Sequence, residues 1–166
     1  VLTSINLIPE ELEKVNLRLQ KRWQEIEKNE IRFKEYYMDD AEIAIIAFGS
    51  AGRISLSAVR GARAEWLPIG LLRPISLSPF PYKVVNQIAE QVDHILVVEM
   101  NSGMMLEDVL KEAKGKTNVE FYGRMGGMMP FPDEISAEIK RIMQSKPNDD
   151  LHPRGAWLER MAKIVK

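Results

Sequence analysis

At 166 residues, the chain is long enough for one domain of ordinary size with a well-buried core. Its 23 Lys and Arg nearly cancel its 24 Asp and Glu, and the two signs are interspersed, which argues against nucleic acid or an anionic membrane as a partner. Because the chain contains no cysteine, its own side chains cannot hold a disulfide framework, an iron–sulfur cluster or a thiolate zinc site.

The first 40 residues predict a long helix followed by a short strand. Pro9 suits a first helical position, and the apolar residues that follow recur at steps of three and four: Leu12, Val15, Leu19, Trp23 and Ile26. Partial alternation over residues 31–37 predicts an edge strand with charged residues facing water. The chain starts at Val1 without methionine, so it is either a piece of something longer or a product of methionine removal.

Residues 41–145 predict the core domain, because short apolar runs alternate there with helical stretches. Such runs are typical of parallel strands that are covered on both faces. The predicted strands are residues 42–48, 67–72, 94–100 and 119–122, and the predicted helices are residues 51–64, 81–92, 103–114 and 132–144. The helices between the strands are long enough for right-handed crossovers, which gives an α/β fold with a mostly parallel sheet.

Residues 146–166 read as a tail whose last ten residues, from Trp157, could form a short amphipathic helix that needs a surface to pack on. No apolar run approaches the roughly 20 residues of a membrane-spanning helix, and we expect no signal peptide. We therefore expect a cytoplasmic protein.

In open α/β sheets, ligands bind beyond the carboxyl ends of the strands, so the four turns at these ends are the candidate sites. In the first turn, Gly49, Ser50 and Gly52 precede Arg53, and the next helix offers amide groups to an anion. The glycine spacing matches neither a dinucleotide fingerprint nor a P-loop. Two interpretations stay open, a phosphate site and close packing of helix on strand.

The second turn, residues 73–81, contains three prolines that fix an extended path. Its apolar residues, Phe80 among them, either cap the core or meet another domain. Arg73 could bind a carboxylate or phosphate, or form an ion pair with Glu99 on a nearby strand.

The third turn, residues 99–108, carries three carboxylates and Asn101, which can cap the following helix. Glu107 and Asp108 suit the first turn of that helix for electrostatic reasons, so they do not indicate acid–base catalysis. A metal site formed with Glu99 is also disfavoured, because no histidine accompanies the carboxylates. The chain has no cysteine and no serine in a nucleophile elbow, so no catalytic triad is expected.

The fourth turn, residues 123–130, combines Arg124 with three glycines, including Gly126 and Gly127, and with three methionines. Glycine permits close approach of another backbone, and methionine side chains adapt to varied apolar surfaces. Ordinary loop packing and contact with a partner domain are both compatible with this composition.

The order of the four turns resembles the C-terminal part of the α subunit of thiamine-diphosphate-dependent 2-oxoacid:ferredoxin oxidoreductases, which act on pyruvate, 2-oxoisovalerate or 2-oxoglutarate. The resemblance covers about residues 41–133 and is carried by AFGSAGR (47–53), LRPISL (72–77), VVEMN (97–101) and YGRMGG (122–127). Two positions depart from the family: Met104, where glutamine is frequent, and Met125, where proline is frequent.

The resemblance implies a transketolase C-terminal-like fold: a three-layer α/β/α sandwich with a mostly parallel sheet of about five strands and one antiparallel edge strand. The full enzyme would decarboxylate a 2-oxoacid oxidatively to acyl-CoA and reduce ferredoxin. Thiamine diphosphate, Mg²⁺ and an iron–sulfur cluster would be bound elsewhere in that enzyme, with none in this chain. The implied partners are the pyrimidine-binding domain of the α subunit, joined through the helix at residues 9–26, and the β subunit; ferredoxin and coenzyme A join at the level of the complex.

On these grounds we expect a non-catalytic assembly domain with three parts, residues 1–40, 41–145 and 146–166. The expected interface residues are Arg73, Phe80, Asn101, Met104, Arg124, Gly126, Gly127 and Met128. One alternative is a free-standing module that binds a nucleotide or coenzyme A phosphate through Gly49, Ser50, Gly52, Arg53 and Arg124. Another is a regulatory or dimerisation domain of a different transketolase-like enzyme.

Overall fold

The computed structural model describes residues 7–144 and 151–164, which form a five-stranded sheet with helices packed on it. The strands are β1 (Phe33–Tyr36), β2 (Ile43–Ala47), β3 (Ile69–Pro74), β4 (His94–Glu99) and β5 (Asn118–Gly123). The helices are α1 (Pro9–Asn29), α2 (Gly49–Ala64), α3 (Tyr82–Gln91), α4 (Met104–Ala113), α5 (Pro132–Gln144) and α6 (Pro153–Ile164).

The strands lie in the order β1-β3-β2-β4-β5, with β2 to β5 parallel and β1 antiparallel to β3. This confirms the predicted fold class, including the antiparallel edge strand. Strand β3 lies two residues further along the chain than predicted. Its last residues, Arg73 and Pro74, pair only with β1, at Lys34 and Phe33. A proline is tolerated there because it sits at a strand end.

The sheet forms the middle of three layers. All five residues of β2 are buried, as expected for a central strand with helices on both faces. Helix α2 packs beside α5 on one face and α3 beside α4 on the other, while α6 packs against the edge strand β5. None of the helices in the described ranges is long and apolar enough to cross a membrane.

Helix α1 differs from the other long helices because none of its residues is buried. Its apolar stripe is exposed along much of its length; Leu19, for example, is 50% exposed. Since Phe33 of β1 pairs with Pro74 of β3, the chain that leaves α1 reaches the domain at the carboxyl end of the parallel strands. The carboxyl end of α1 therefore lies near the edge at which the four turns lie.

Candidate functional site at the carboxyl edge of the sheet

The four turns lie along one edge of the sheet because the four strands before them run parallel. The segment between α1 and β1 joins them there. The Arg32 carbonyl accepts hydrogen bonds from the amides of Ile75 (2.9 Å) and Ser76 (3.0 Å), and the Ser76 hydroxyl accepts one from the Arg32 amide (2.9 Å). The second turn is thus attached to the end of the α1 segment.

The first turn is shaped by close packing. A Cβ atom added to Gly52 would lie 2.7 Å from the Ala47 carbonyl oxygen, so only glycine allows α2 to start so near β2. Gly49 has a φ of +56°, which favours glycine for a different reason. Arg53 is exposed, and its side chain makes no hydrogen bond or ion pair within residues 7–144 and 151–164. The geometry of Gly52 favours the packing interpretation, and a phosphate site here stays a prediction.

Two glycines of α2 provide a matched test of this packing. We expect Gly52→Ala to lower the free energy of unfolding by about 1–3 kcal/mol, because the new methyl group would collide with backbone. Gly61→Ala should instead raise it by about 0.5–1 kcal/mol, since nothing lies within 4 Å of its Cβ position and alanine stabilises a helix interior. Urea unfolding of both variants measures the difference, and equal effects would contradict the packing account.

The second turn differs in two respects from the sequence-based expectations. Phe80 is only 2% exposed and packs edge-to-face against Tyr82 at 5.1 Å, so it caps the core and is not an exposed contact residue. Arg73 forms no ion pair with Glu99, because β2 separates β3 from β4 in the sheet. The Arg73 Nε atom is buried without a hydrogen-bond partner in the described structure.

The third turn is held by the fully buried Glu99. Its carboxylate accepts hydrogen bonds from the amides of residues 105–106, each at 3.0 Å, and from the Asn101 side-chain amide at 2.9 Å. The Asn101 side-chain oxygen in turn accepts the amides of residues 103–104, at 2.7 and 2.9 Å. The Asn101 side chain thus binds the first amide of α4, as its type predicted, although Gly103 occupies the N-cap position itself; the role of Glu99 at this helix start went unpredicted. Negative charge at a helix start is stabilised by the helix dipole.

The carboxylates of the third turn do not converge. Glu107 accepts a hydrogen bond from Arg154 at 2.5 Å, whereas Asp108 accepts one from the Tyr82 hydroxyl at 2.9 Å. Glu99, Glu107 and Asp108 therefore each have a separate set of hydrogen-bond partners. Within the described ranges, no group of three His, Asp or Glu side chains is arranged to hold a metal ion.

The fourth turn is fixed by an ion pair between Arg124 and Glu134 on α5. Glu134 also accepts the amide of Phe131 at 2.9 Å. Although burial acts in the opposite direction, the hydrogen bond from Arg124 holds the pKa of Glu134 below its ordinary value. Burial, reinforced by the neighbouring Glu134 carboxylate, raises the pKa of Tyr122 to about 12. Arg124 is therefore engaged within the domain, which weakens its case as a phosphate ligand.

The loop beyond Arg124 is open. Gly126 and Gly127 have φ angles of +65° and +87°, and nothing lies within 4 Å of either Cβ position. Glycine is needed at both positions for the backbone conformation and not for close approach. The three methionines of this loop are about half exposed, which is compatible with the contact surface that the sequence composition suggested.

Exposed apolar side chains from the second, third and fourth turns, with Phe131 directly after the fourth, form the main surface feature of this edge, which we call the methionine edge. Their exposure runs from 38% at Met100 to 76% at Met104. The members are Ile75, Leu77, Met100, Met104, Met125, Met128, Met129 and Phe131. Five of the nine methionines of the chain lie here, so the apolar character is concentrated. Such concentrations mark protein-contact surfaces.

Comparison with known proteins agrees with this architecture. Residues 41–135 match the family model described as pyruvate:ferredoxin oxidoreductase core domain II. The chain is 43% identical over 142 residues to ketoisovalerate oxidoreductase subunit VorB of Methanothermobacter marburgensis, covering 86% of this chain and 40% of that protein. It is 36% identical over 110 residues to 2-oxoglutarate synthase subunit KorA of the same organism, covering 66% of this chain and 28% of that protein. The chain thus spans about two fifths of the length of the VorB relatives.

Solved structures show the same fold. The 2-oxoglutarate:ferredoxin oxidoreductase from Magnetococcus marinus superposes with a TM-score of 0.68 at 20% identity, over 84% of this chain and 24% of that one. A split-gene transketolase described as an inactive β4 tetramer superposes with a TM-score of 0.55 at 15% identity, over 65% of this chain and 40% of that one. The transketolase-like architecture is therefore confirmed.

Proposed function

This chain belongs to the pyruvate:ferredoxin oxidoreductase core domain II family, and from that premise we propose that it is a non-catalytic assembly domain of a thiamine-diphosphate-dependent 2-oxoacid:ferredoxin oxidoreductase α subunit. The reaction of the full enzyme is the oxidative decarboxylation of a 2-oxoacid to acyl-CoA, with ferredoxin as electron acceptor. The observation that carries the proposal is the methionine edge at the carboxyl ends of the strands.

The methionine edge suits a protein partner better than a small ligand. Its apolar side chains come from several turns and stay between 38% and 76% exposed, whereas small-ligand sites enclose their ligand; a hollow of about 410 Å³ between Met125, Met128 and α6 is open to solvent in the described structure. The backbone beneath is held by internal hydrogen bonds, such as those of Glu99 and Glu134, so little order is lost on binding. A preorganised apolar surface of this kind favours assembly.

Helix α1 supplies a second apolar surface beside the same edge. Trp23 is 37% exposed and Leu12 38% exposed, and α1 has no buried residue. An amphipathic helix gains most of its stability from packing of its apolar face. We propose that this face packs against the remainder of the α subunit, which would contain the pyrimidine-binding domain, and that the methionine edge continues the contact towards the β subunit.

The polar groups of this edge do not fit thiamine diphosphate and its Mg²⁺. Magnesium requires oxygen ligands that converge in near-octahedral geometry. Here Glu99, Glu107 and Asp108 point to separate partners, and Arg124 is paired with Glu134. This arrangement supports a role for the domain in assembly, with the cofactor held by other parts of the enzyme.

Calorimetric titration of the isolated chain tests the non-catalytic role. We expect no binding of thiamine diphosphate in the presence of Mg²⁺, because no set of oxygen ligands converges among the described residues. A parallel titration with coenzyme A tests the alternative of a phosphate-binding module through Arg53. Circular dichroism of the same sample verifies that the chain is folded. Saturable, stoichiometric binding of thiamine diphosphate would overturn the proposal.

A further inference from the structure

Helix α6 lies outside the matched family region at residues 41–135, yet it contacts the third turn directly. The Arg154 guanidinium donates hydrogen bonds to the carbonyl oxygens of Ser102 (2.7 Å) and Gly103 (2.8 Å) and to the Glu107 carboxylate (2.5 Å). Its planar fork of donors suits several acceptors at once, which the ammonium of lysine cannot reproduce. A single side chain of α6 thus holds the backbone of the third turn.

The next turn of α6 contacts the fourth turn. Trp157 is 2% exposed, packs edge-to-face on Phe121 at 5.1 Å, and donates its indole N–H to the Gly123 carbonyl at 3.1 Å. Gly123 is the last residue of β5, directly before Arg124. Trp157 therefore sets the position from which the fourth turn departs.

The third and fourth turns also touch each other at this point. A Cβ atom on Gly123 would lie 2.6 Å from the Asn101 carbonyl oxygen, and the Arg124 amide donates to the Glu99 carbonyl at 3.1 Å. Further along α6, Arg160 donates to the Phe121 carbonyl at 2.9 Å and anchors the helix on the edge strand. Arg154 and Trp157 are three residues apart on one continuous helix, so α6 contacts both turns at once.

We infer that α6 is a brace that couples the third and fourth turns, with Arg154 and Trp157 as positioning residues for the two methionine-bearing loops. The brace itself concerns only contacts within this chain. The contribution of the brace to assembly rests on the proposed function. In that case α6 would fix Met104 and Met128 relative to each other before a partner binds. Preorganisation of this kind reduces the ordering cost of association.

Hydrogen exchange of the intact chain tests the brace without any partner, so its outcome is independent of the proposed assembly role. The variants Arg154→Lys and Trp157→Phe remove donors while keeping the charge and an aromatic ring, respectively. Each should speed exchange about tenfold at the amides of residues 103–106 and also at those of Arg124 and Met128. The matched control is Lys163→Ala, an exposed position on α6, which should leave all these rates unchanged.

The amides of β2 serve as an internal reference for global opening. The inference is overturned if Arg154→Lys affects only residues 103–106, or if Trp157→Phe affects only the fourth turn, because either result shows independent turns. It is also overturned if the rates at both turns and in β2 rise together, which would report global stability alone. Faster exchange at both turns, with an unchanged exchange rate in β2, supports the brace.

Discussion

Replacing Trp157 with alanine is expected to lower the free energy of unfolding by about 3–5 kcal/mol, the range typical of a large aromatic residue removed from a core. The indole is 2% exposed and packs against Phe121, itself fully buried. Its N–H also satisfies the Gly123 carbonyl, which would be left without this donor in the variant. Loss of the ring opens a cavity between α6 and the edge strand β5.

Urea unfolding followed by circular dichroism measures this effect independently of tryptophan fluorescence. Trp66→Ala is the matched control, because Trp66 is 93% exposed and its replacement should change stability by no more than about 0.5 kcal/mol. A small change for Trp157→Ala, comparable to that of the control, would show that α6 does not pack on the domain as the structure has it.

The stability of the Trp157→Ala variant also reports on the contact of α6 with β5, which is an edge strand of the sheet. An exposed edge offers unpaired carbonyl groups to other chains. Here α6 covers that edge, with Trp157 donating to the Gly123 carbonyl and Arg160 to the Phe121 carbonyl. Helix α6 thus satisfies carbonyl groups of the edge strand in addition to contacting the turns.

The sheet and its helices were predictable because the sequence pattern matches the burial. The apolar run at residues 43–47 becomes the fully buried β2, and the predicted helix at residues 132–144 coincides with α5. The sequence-based prediction placed β3 two residues too early, because Arg73 is charged and Pro74 normally interrupts a strand. Their pairing with β1, at Phe33 and Lys34, depends on a segment about 40 residues earlier in the chain, which the local pattern does not reveal.

The side-chain partners at the carboxyl edge were harder to predict. Arg124 was expected at an interface, but the return of α5 brings Glu134 against it. Phe80 lies in a turn rich in proline, and nothing in that composition shows that its ring faces the core. Conversely, the outward position of Met104 follows from its place at the first residue of α4, and the structure leaves it 76% exposed. Contacts that depend on tertiary docking, such as that of Arg154, gave no local signal.

The second large effect is expected from charge placed on the methionine edge. Met104→Asp combined with Met128→Asp should weaken binding of this chain to the remainder of the enzyme by at least about 100-fold, since buried unpaired charges are costly and central apolar contacts dominate interface energies. Both side chains are exposed, at 76% and 51%, so the fold should tolerate the changes.

Met143→Asp provides the matched control. Met143 is 45% exposed and lies in the last turn of α5, roughly 17 Å along the helix from Pro132 and the methionine edge. This substitution has the same chemistry as the test pair but lies outside the proposed contact surface. Its affinity for the remainder of the enzyme should stay within about threefold of the original.

The most direct test of the proposed assembly role is therefore the affinity of this chain for its proposed partners, the α-subunit remainder and the β subunit, prepared together without this domain. The original chain and Met143→Asp should bind alike, and the variant with Met104→Asp and Met128→Asp should bind at least about 100-fold more weakly. Undiminished binding of that double variant would contradict the assignment of the methionine edge as the assembly surface.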